Sequence, residues 1–202
     1  MKTIRLIMVA VGGQGNLLAS RVLGRAALIA NVSVKMSEIH GMAQRGGVVE
    51  SAIVFGDAAS YIISDGEADI MLGFEPAETL RAIKRCNKNT EIIMSTSMLP
   101  PFTAAIGKGV YPDIKEVKTL LKKKCSNLIC IDAMQLANNA GNAMSLNIVM
   151  LGALIADFQK TKILNITKQN TIDAIEQVTK KAFLETNLKA FELGHENAKL
   201  NL

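Results

Sequence analysis

The chain begins with an apolar run, residues 3–11, that stops on Gly12-Gly13-Gln14-Gly15 and resumes at helical spacing across residues 14–30. An unbroken apolar run of strand length bounded by glycines reads as a strand buried on both faces. Leu17, Leu18, Val22, Leu23, Ala26, Ala27, Ile29 and Ala30 then recur at helical spacing, and Asn31 is placed to close the helix. A strand, a glycine turn and a helix in that order constrain the fold more than any other feature here. They are the opening unit of an α/β sheet.

The pattern repeats less regularly downstream. Residues 32–36, 48–55, 69–73, 90–95 and 127–131 read as strands. Turn signals at Gly56-Asp57, Pro100-Pro101 and Asp132 bound several of them. Residues 75–86, with Pro76 in the first turn, and the basic segment 114–124 read as helices. After Ala133 the strand signal is gone. Residues 146–158 are apolar on nearly every face, as in a helix buried against a sheet or a partner, and 170–180 and 181–193 are amphipathic. The expected fold is α/β and three-layered: a mostly parallel sheet with helices on both faces and a helical C-terminal third. No repeat or linker interrupts it, so residues 1–202 are expected to form one domain.

Composition removes several functions. The net charge is +5, and the densest basic patch is Lys115, Lys118, Lys122, Lys123 and Lys124, diluted by Asp113 and Glu116. That patch reads first as a solvated helix face, with an acidic surface or a polyphosphate as the other reading. No stacking aromatics accompany it, which argues against nucleic acid. Cys86, Cys125 and Cys130 are too few, and lack the CxxC spacing, to build a structural zinc site or a four-cysteine cluster from this chain. No metal is expected, and the cysteines read as buried small hydrophobes in a reducing compartment. Lys2 and Arg5 ahead of apolar residues mimic a signal peptide, but the run is too short and glycines replace the cleavage site. The longest uncharged apolar run, residues 148–156, is far below the roughly 20 residues that span a bilayer. A cytoplasmic protein without a membrane segment is expected.

Two segments carry chemistry. Gly12, Gly13 and Gly15 let backbone approach an anion at a helix N-terminus, and Gln14 sits among them. The dinucleotide fingerprint fails, because Leu18 stands where its third glycine belongs, and no Gly-Lys-Ser/Thr follows for a P-loop. A simple tight turn is the competing reading. The second segment, residues 37–47, reads Ser37-Glu38-Ile39-His40-Gly41-Met42-Ala43-Gln44-Arg45-Gly46-Gly47. It is taken as a loop, longer than ordinary connections and denser in polar groups. Arg45 can fork onto a carboxylate or phosphate, His40 can exchange a proton near neutrality, and Gln44 can fix an amide or carbonyl. An interface loop whose polar groups satisfy one another fits equally well.

These residues resemble a known family. Val11-Gly-Gly-Gln-Gly15, Leu18-Ala-Ser-Arg-Val-Leu-Gly24 and residues 37–47 are similar to the gamma-type domain of 2-oxoacid:ferredoxin oxidoreductases, in the variety found in the indolepyruvate enzymes' beta subunit. Gly66-Glu-Ala-Asp69, Leu72-Gly-Phe-Glu-Pro76, Asp132-Ala133 and Asn147-Ile-Val-Met-Leu-Gly-Ala153 continue the likeness over most of the chain. Ala10 departs from it, standing where the family commonly has glycine.

The resemblance implies oxidative decarboxylation of an indolepyruvate or arylpyruvate to an acyl-coenzyme A, with electrons passed to ferredoxin. It implies a heteromeric complex in which a larger subunit carries thiamine diphosphate and iron–sulfur clusters. In that setting His40 and Arg45 are the candidate catalytic pair. Gly12, Gly13, Gln14, Gly15, Ser37, Glu38, Gly41, Met42, Gln44, Gly46 and Gly47 are candidate ligand- or partner-binding residues. The rival readings are a non-catalytic assembly subunit and a freestanding nucleotide-binding oxidoreductase; the failed fingerprint weighs against the second.

Overall fold

The structure is a computed structural model that describes residues 2–40, 47–100, 110–125 and 127–201. Six strands form one sheet in the order β2-β3-β1-β4-β5-β6. They are β1 (Ile4–Val11), β2 (Val34–His40), β3 (Val48–Phe55), β4 (Ala68–Gly73), β5 (Cys86–Ser95) and β6 (Asn127–Ile131). β1, β4, β5 and β6 pair in parallel, whereas β3 pairs antiparallel with both β1 and β2. Among the described strands β3 therefore runs against the rest. The reason is connection length: residues 41–47 are too few for the crossover that parallel neighbours need.

The helices are α1 (Asn16–Ile29), α2 (Pro76–Arg81), α3 (Ile114–Lys124), α4 (Ala133–Ala140), α5 (Leu146–Thr161), α6 (Lys168–Val178) and α7 (Lys181–Asn201). Alternation along β1 divides the core. Ile4, Leu6, Met8 and Ala10 face a cluster with α1 and the C-terminal helices, and Ile7 and Val9 face a cluster with Val117 and Leu121 of α3. The three layers and the helical C-terminal third match the expectation. On α3, Val117 and Leu121 are buried while Lys115, Lys122, Lys123 and Lys124 are exposed, as on a solvated face.

Two expectations change. The segment 37–47 is not wholly a loop: Ser37, Glu38, Ile39 and the backbone of His40 continue β2, paired with Ala52, Ser51, Glu50 and Val49. Polar side chains on an edge strand hide its alternation, which is why the strand looked shorter. The helix expected over 75–86 ends at Arg81, passes through one 3-10 turn (Ala82–Arg85), and gives way to β5 at Cys86.

α5 is buried along Leu146 to Phe158, and it packs against α7 at backbone distance. A Cβ on Gly152 would lie 2.2 Å from the Phe191 carbonyl oxygen, and one on Gly194 would lie 2.0 Å from that of Val149. Glycine at both positions is what permits the contact.

Candidate functional site at the carboxyl edge of the sheet

In open α/β sheets ligands bind beyond the carboxyl ends of the parallel strands. Here that edge gathers the glycine turn after β1, Phe74-Glu75 after β4, residues 96–100 after β5 and Asp132 after β6. Gly47 joins it, because the Gly12 N–H donates to the Gly47 carbonyl at 2.7 Å. His40 pairs with Val49, which pairs with Ala10 on β1. The end of β2 therefore lies two strand spacings, about 10 Å, from β1.

The glycine turn is held from both sides. Gln14 Oε1 accepts the Val11 N–H at 2.8 Å, and Gln14 Nε2 donates to the Phe74 carbonyl at 3.3 Å. Its side chain thus clips the end of β1 to the end of β4. Gly15 sits at φ 78° and is the N-cap of α1. The buried Asn147, in the first turn of α5, donates to its carbonyl at 3.0 Å. Among the described residues no side chain caps α1, and no acid occupies its first turn. Its leading N–H groups and dipole remain suited to an anion or to a carbonyl from elsewhere.

A cavity of about 270 Å³ opens beside this turn, between Gly12, Gly13 and Gln14 on one side and Met98, Met134 and Met144 on the other. A larger one, about 310 Å³, lies at the opposite edge among Asp69, Asn87, Glu91 and Thr161. Its polar groups already bond within the fold: Asp69 to the Arg5 N–H, Asn87 to Gly66, and Glu91 to Asn127. The carboxyl-edge cavity is the stronger candidate because glycine backbone and flexible thioethers line it.

Glu38 is tied inward. Its Oε1 accepts from Ser20 of α1 at 2.8 Å and from Ser51 of β3 at 3.3 Å, and Asn16 Nδ2 donates to Ser51 Oγ at 2.7 Å. This network fixes β2 against α1. Asn16 is 4% exposed, and among the described residues its Oδ1 has no hydrogen-bond partner. Of the other expected site residues, Gly41, Met42, Gln44, Arg45 and Gly46 lie outside the described residues, as does the side chain of His40.

Sequence reasoning passed over the residue that organises the far side of the edge. Glu75, 1% exposed, is the N-cap of α2. It accepts the Glu78 N–H at 3.0 Å, the Leu99 N–H at 3.3 Å and the Tyr111 hydroxyl. One carboxylate thereby fastens the segments before and after residues 101–109 to the end of β4. Burial first, and then the bond to Glu75, pushes the Tyr111 phenol well above its ordinary range. The signal was present: an acid directly before a proline at a strand end is an N-cap waiting for a helix. Asn147, a lone amide at the head of an otherwise apolar helix, was a second such signal.

The cysteines do not fit a cluster. There are three, Cys86 and Cys125 are buried, and burial followed by the neighbouring Cys125 pushes the Cys86 thiol up to about 12. Among the described residues Glu192, His195 and Glu196 bring three potential ligand atoms within 4.8 Å. His195, however, spends both ring nitrogens on Gln159 and Glu196 and stacks on Phe191, as a structural histidine does.

A six-stranded, mostly parallel sheet covered on both faces, with a glycine turn leading from its first strand into α1, places the chain in the α/β class. The chain belongs to the pyruvate ferredoxin/flavodoxin oxidoreductase family, whose model matches residues 5–197. Among curated relatives, indolepyruvate oxidoreductase subunit IorB of Methanothermobacter thermautotrophicus is 38% identical over 184 residues, covering 91% of this chain and 92% of that one. The subunit of the same name from Pyrococcus horikoshii is 34% identical over 206 residues, covering 100% of each. Among solved structures, a keto/oxoacid ferredoxin oxidoreductase gamma subunit from Geobacter sulfurreducens superposes with a TM-score of 0.70 at 21% identity, covering 96% and 98% of the two chains. A 2-oxoglutarate:ferredoxin oxidoreductase from Magnetococcus marinus gives 0.72 at 18% identity, covering 99% of this chain and 32% of that one. These last two establish the fold.

Proposed function

We propose that this chain is the small subunit of an indolepyruvate (arylpyruvate):ferredoxin oxidoreductase, and that it presents its carboxyl edge to a larger catalytic subunit. The observation that carries the reading is the near full-length match to relatives named as indolepyruvate oxidoreductase subunits. The uncapped start of α1 beside an open cavity adds a place for the edge to act.

In this reading thiamine diphosphate and iron–sulfur clusters reside on the partner, where they supply decarboxylation and one-electron transfer; coenzyme A takes the acyl group and ferredoxin the electrons. A cluster on the partner agrees with the cysteine set of this chain, which cannot bind one. This chain's residues bind and orient. The start of α1 receives an anionic group or a partner carbonyl. Arg45 orders a carboxylate or phosphate, and His40 serves as a hydrogen-bonding or acid–base group. Gly41, Met42, Gln44, Gly46 and Gly47 shape the approach. Ser37 and Glu38 act from within the sheet, Ser37 in the β2–β3 pairing and Glu38 through its bonds to Ser20 and Ser51. Among the described residues no helix is long and apolar enough to cross a membrane, and buried free thiols suit a reducing cytoplasm.

The test is co-purification with the larger subunit under anaerobic conditions, followed by indolepyruvate- and coenzyme A-dependent reduction of a viologen dye. Activity only when both subunits are present supports the reading, and equal activity without this chain ends it. Arg45→Ala is expected to leave assembly intact and impair turnover. A specific observation favours the assembly-subunit alternative: Met144 on the cavity rim is 71% exposed and Met98 54%, as befits a protein contact. Under that alternative, Arg45→Ala and His40→Ala would abolish co-purification instead.

A further inference from the structure

Asp157 lies near the C-terminal end of α5, is 0% exposed, and has no hydrogen-bond partner at either carboxyl oxygen among the described residues. The neighbouring Thr161 hydroxyl bonds the main-chain carbonyl of Asp157 at 2.8 Å and leaves the carboxyl alone. Leu154, Ile155 and Phe158 of the same helix are core residues of the cluster that also holds Ile93 of β5. Glu91, two positions before Ile93, points to that same face of the sheet. A buried polar group without a hydrogen bond is costly, and a buried charge without a partner far more so.

We propose that Asp157 is a proton switch in the packing of α5: the carboxyl is neutral while the helix is fully seated on the sheet, and its ionisation weakens that seat. The charges acting on it are few. Glu91 of β5 opposes ionisation and Lys160 of its own helix favours it. From α7 the titratable groups near this end of α5 are His195, which bonds Gln159, together with Glu196 and Lys199 around it. Burial first, then Glu91, pushes Asp157 up from 3.8 to about 6. Asn147, which holds Gly15 of the glycine turn, sits at the opposite end of the same helix. The switch therefore acts on the element that anchors the candidate site.

The sign follows from linkage. A carboxyl whose folded pKa is raised stabilises the fold most below its ordinary pKa, and that advantage is lost as pH rises toward about 6. Two pH units correspond to roughly a 100-fold rise in the unfolding constant. His195, whose pKa burial lowers, acts in the opposite direction on acidification. The difference between wild type and Asp157→Asn isolates the carboxyl.

Urea unfolding of the full chain would be measured between pH 4 and 7.5 for both proteins. Asp157→Asn is expected to gain on wild type steadily from pH 4 to 6, by up to about 100-fold in the unfolding constant, and to keep that advantage above pH 6. A pH-independent difference overturns the proposal. Should Asp157→Asn fail to fold, a carbon-13 carboxyl titration of the wild type decides it. An Asp157 resonance titrating near 6 upholds the switch, and one titrating near 3.8 ends it.

Discussion

The amide nitrogen of Asn147 occupies the space where a side chain on Gly15 would begin: a Cβ there would lie 2.5 Å from Asn147 Nδ2. The same amide donates to the Gly15 carbonyl, which also accepts the N–H groups of Leu18 and Ala19. The start of α1 is thus set by an interaction between residues 132 positions apart.

Gly15→Ala is expected to destabilise the chain by about 1–3 kcal/mol, from the clash and from a φ of 78° that alanine resists. Asn147→Ala is expected to cost about 1–3 kcal/mol, because the bonds to the Gly15 carbonyl and the Ile148 N–H disappear. In the double variant the steric part is relieved while the φ strain stays, so the two costs should sum to more than the double variant shows. Urea denaturation of the three variants checks this, and strict additivity would refute it.

Gln14→Glu keeps an acceptor for Val11 but loses the donor to Phe74 and sets a carboxylate against that carbonyl. Gln14→Ala loses both. Loss on the order of 1 kcal/mol is expected for Gln14→Ala, with faster amide exchange at Val11 than in Gln14→Glu. Equal exchange at Val11 in both variants would show that the clip does not hold β1.

Tyr111→Phe removes one of three donors from a carboxylate that is almost wholly buried. The expected cost is about 1–3 kcal/mol, with accelerated hydrogen exchange at Leu99, which shares the same oxygen. Unaltered protection at Leu99 would mean that Glu75 fastens the two segments independently.

Burial depresses the His195 pKa below 6.5, against the opposing pull of Glu196. A base with a lowered folded pKa destabilises the fold as pH falls below its unfolded value. Imidazole proton resonances should therefore show His195 titrating below 6.5, and His195→Gln should reduce the loss of stability on acidification. Titration at or above 6.5 would contradict this.

Much of the fold could be read directly. The strands at residues 48–55 and 127–131 and the helix at 114–124 coincide with the observed elements, because each has clear periodicity and a clean stop. The positive φ of Asn31 fits its place after α1. The extra residues of β2 could not be read, since Ser37 and Glu38 owe their strand conformation to β3 rather than to their own propensity. The glycine turn was legible as a turn between strand and helix, whereas the bonds of the Gln14 side chain to Val11 and Phe74 emerged only with the fold. Glu75 and Asn147 carried local signals, but the long-range bonds they make could not be read, because the Leu99 N–H lies 24 residues from Glu75 and the Gly15 carbonyl 132 from Asn147.

Sequence alone determined the α/β class, the glycine turn before α1, the inability to bind a four-cysteine cluster, and the likeness to the oxidoreductase family. These depend on local periodicity, residue type and count, which survive without coordinates. Only the tertiary structure decided that β3 runs against its neighbours, that Glu38 is tied into the sheet, that one carboxylate fastens the far side of the edge, and that Asp157 lies buried without a hydrogen bond to its carboxyl among the described residues. Each depends on which distant groups meet in the core, where the low dielectric makes every satisfied or orphaned polar atom count.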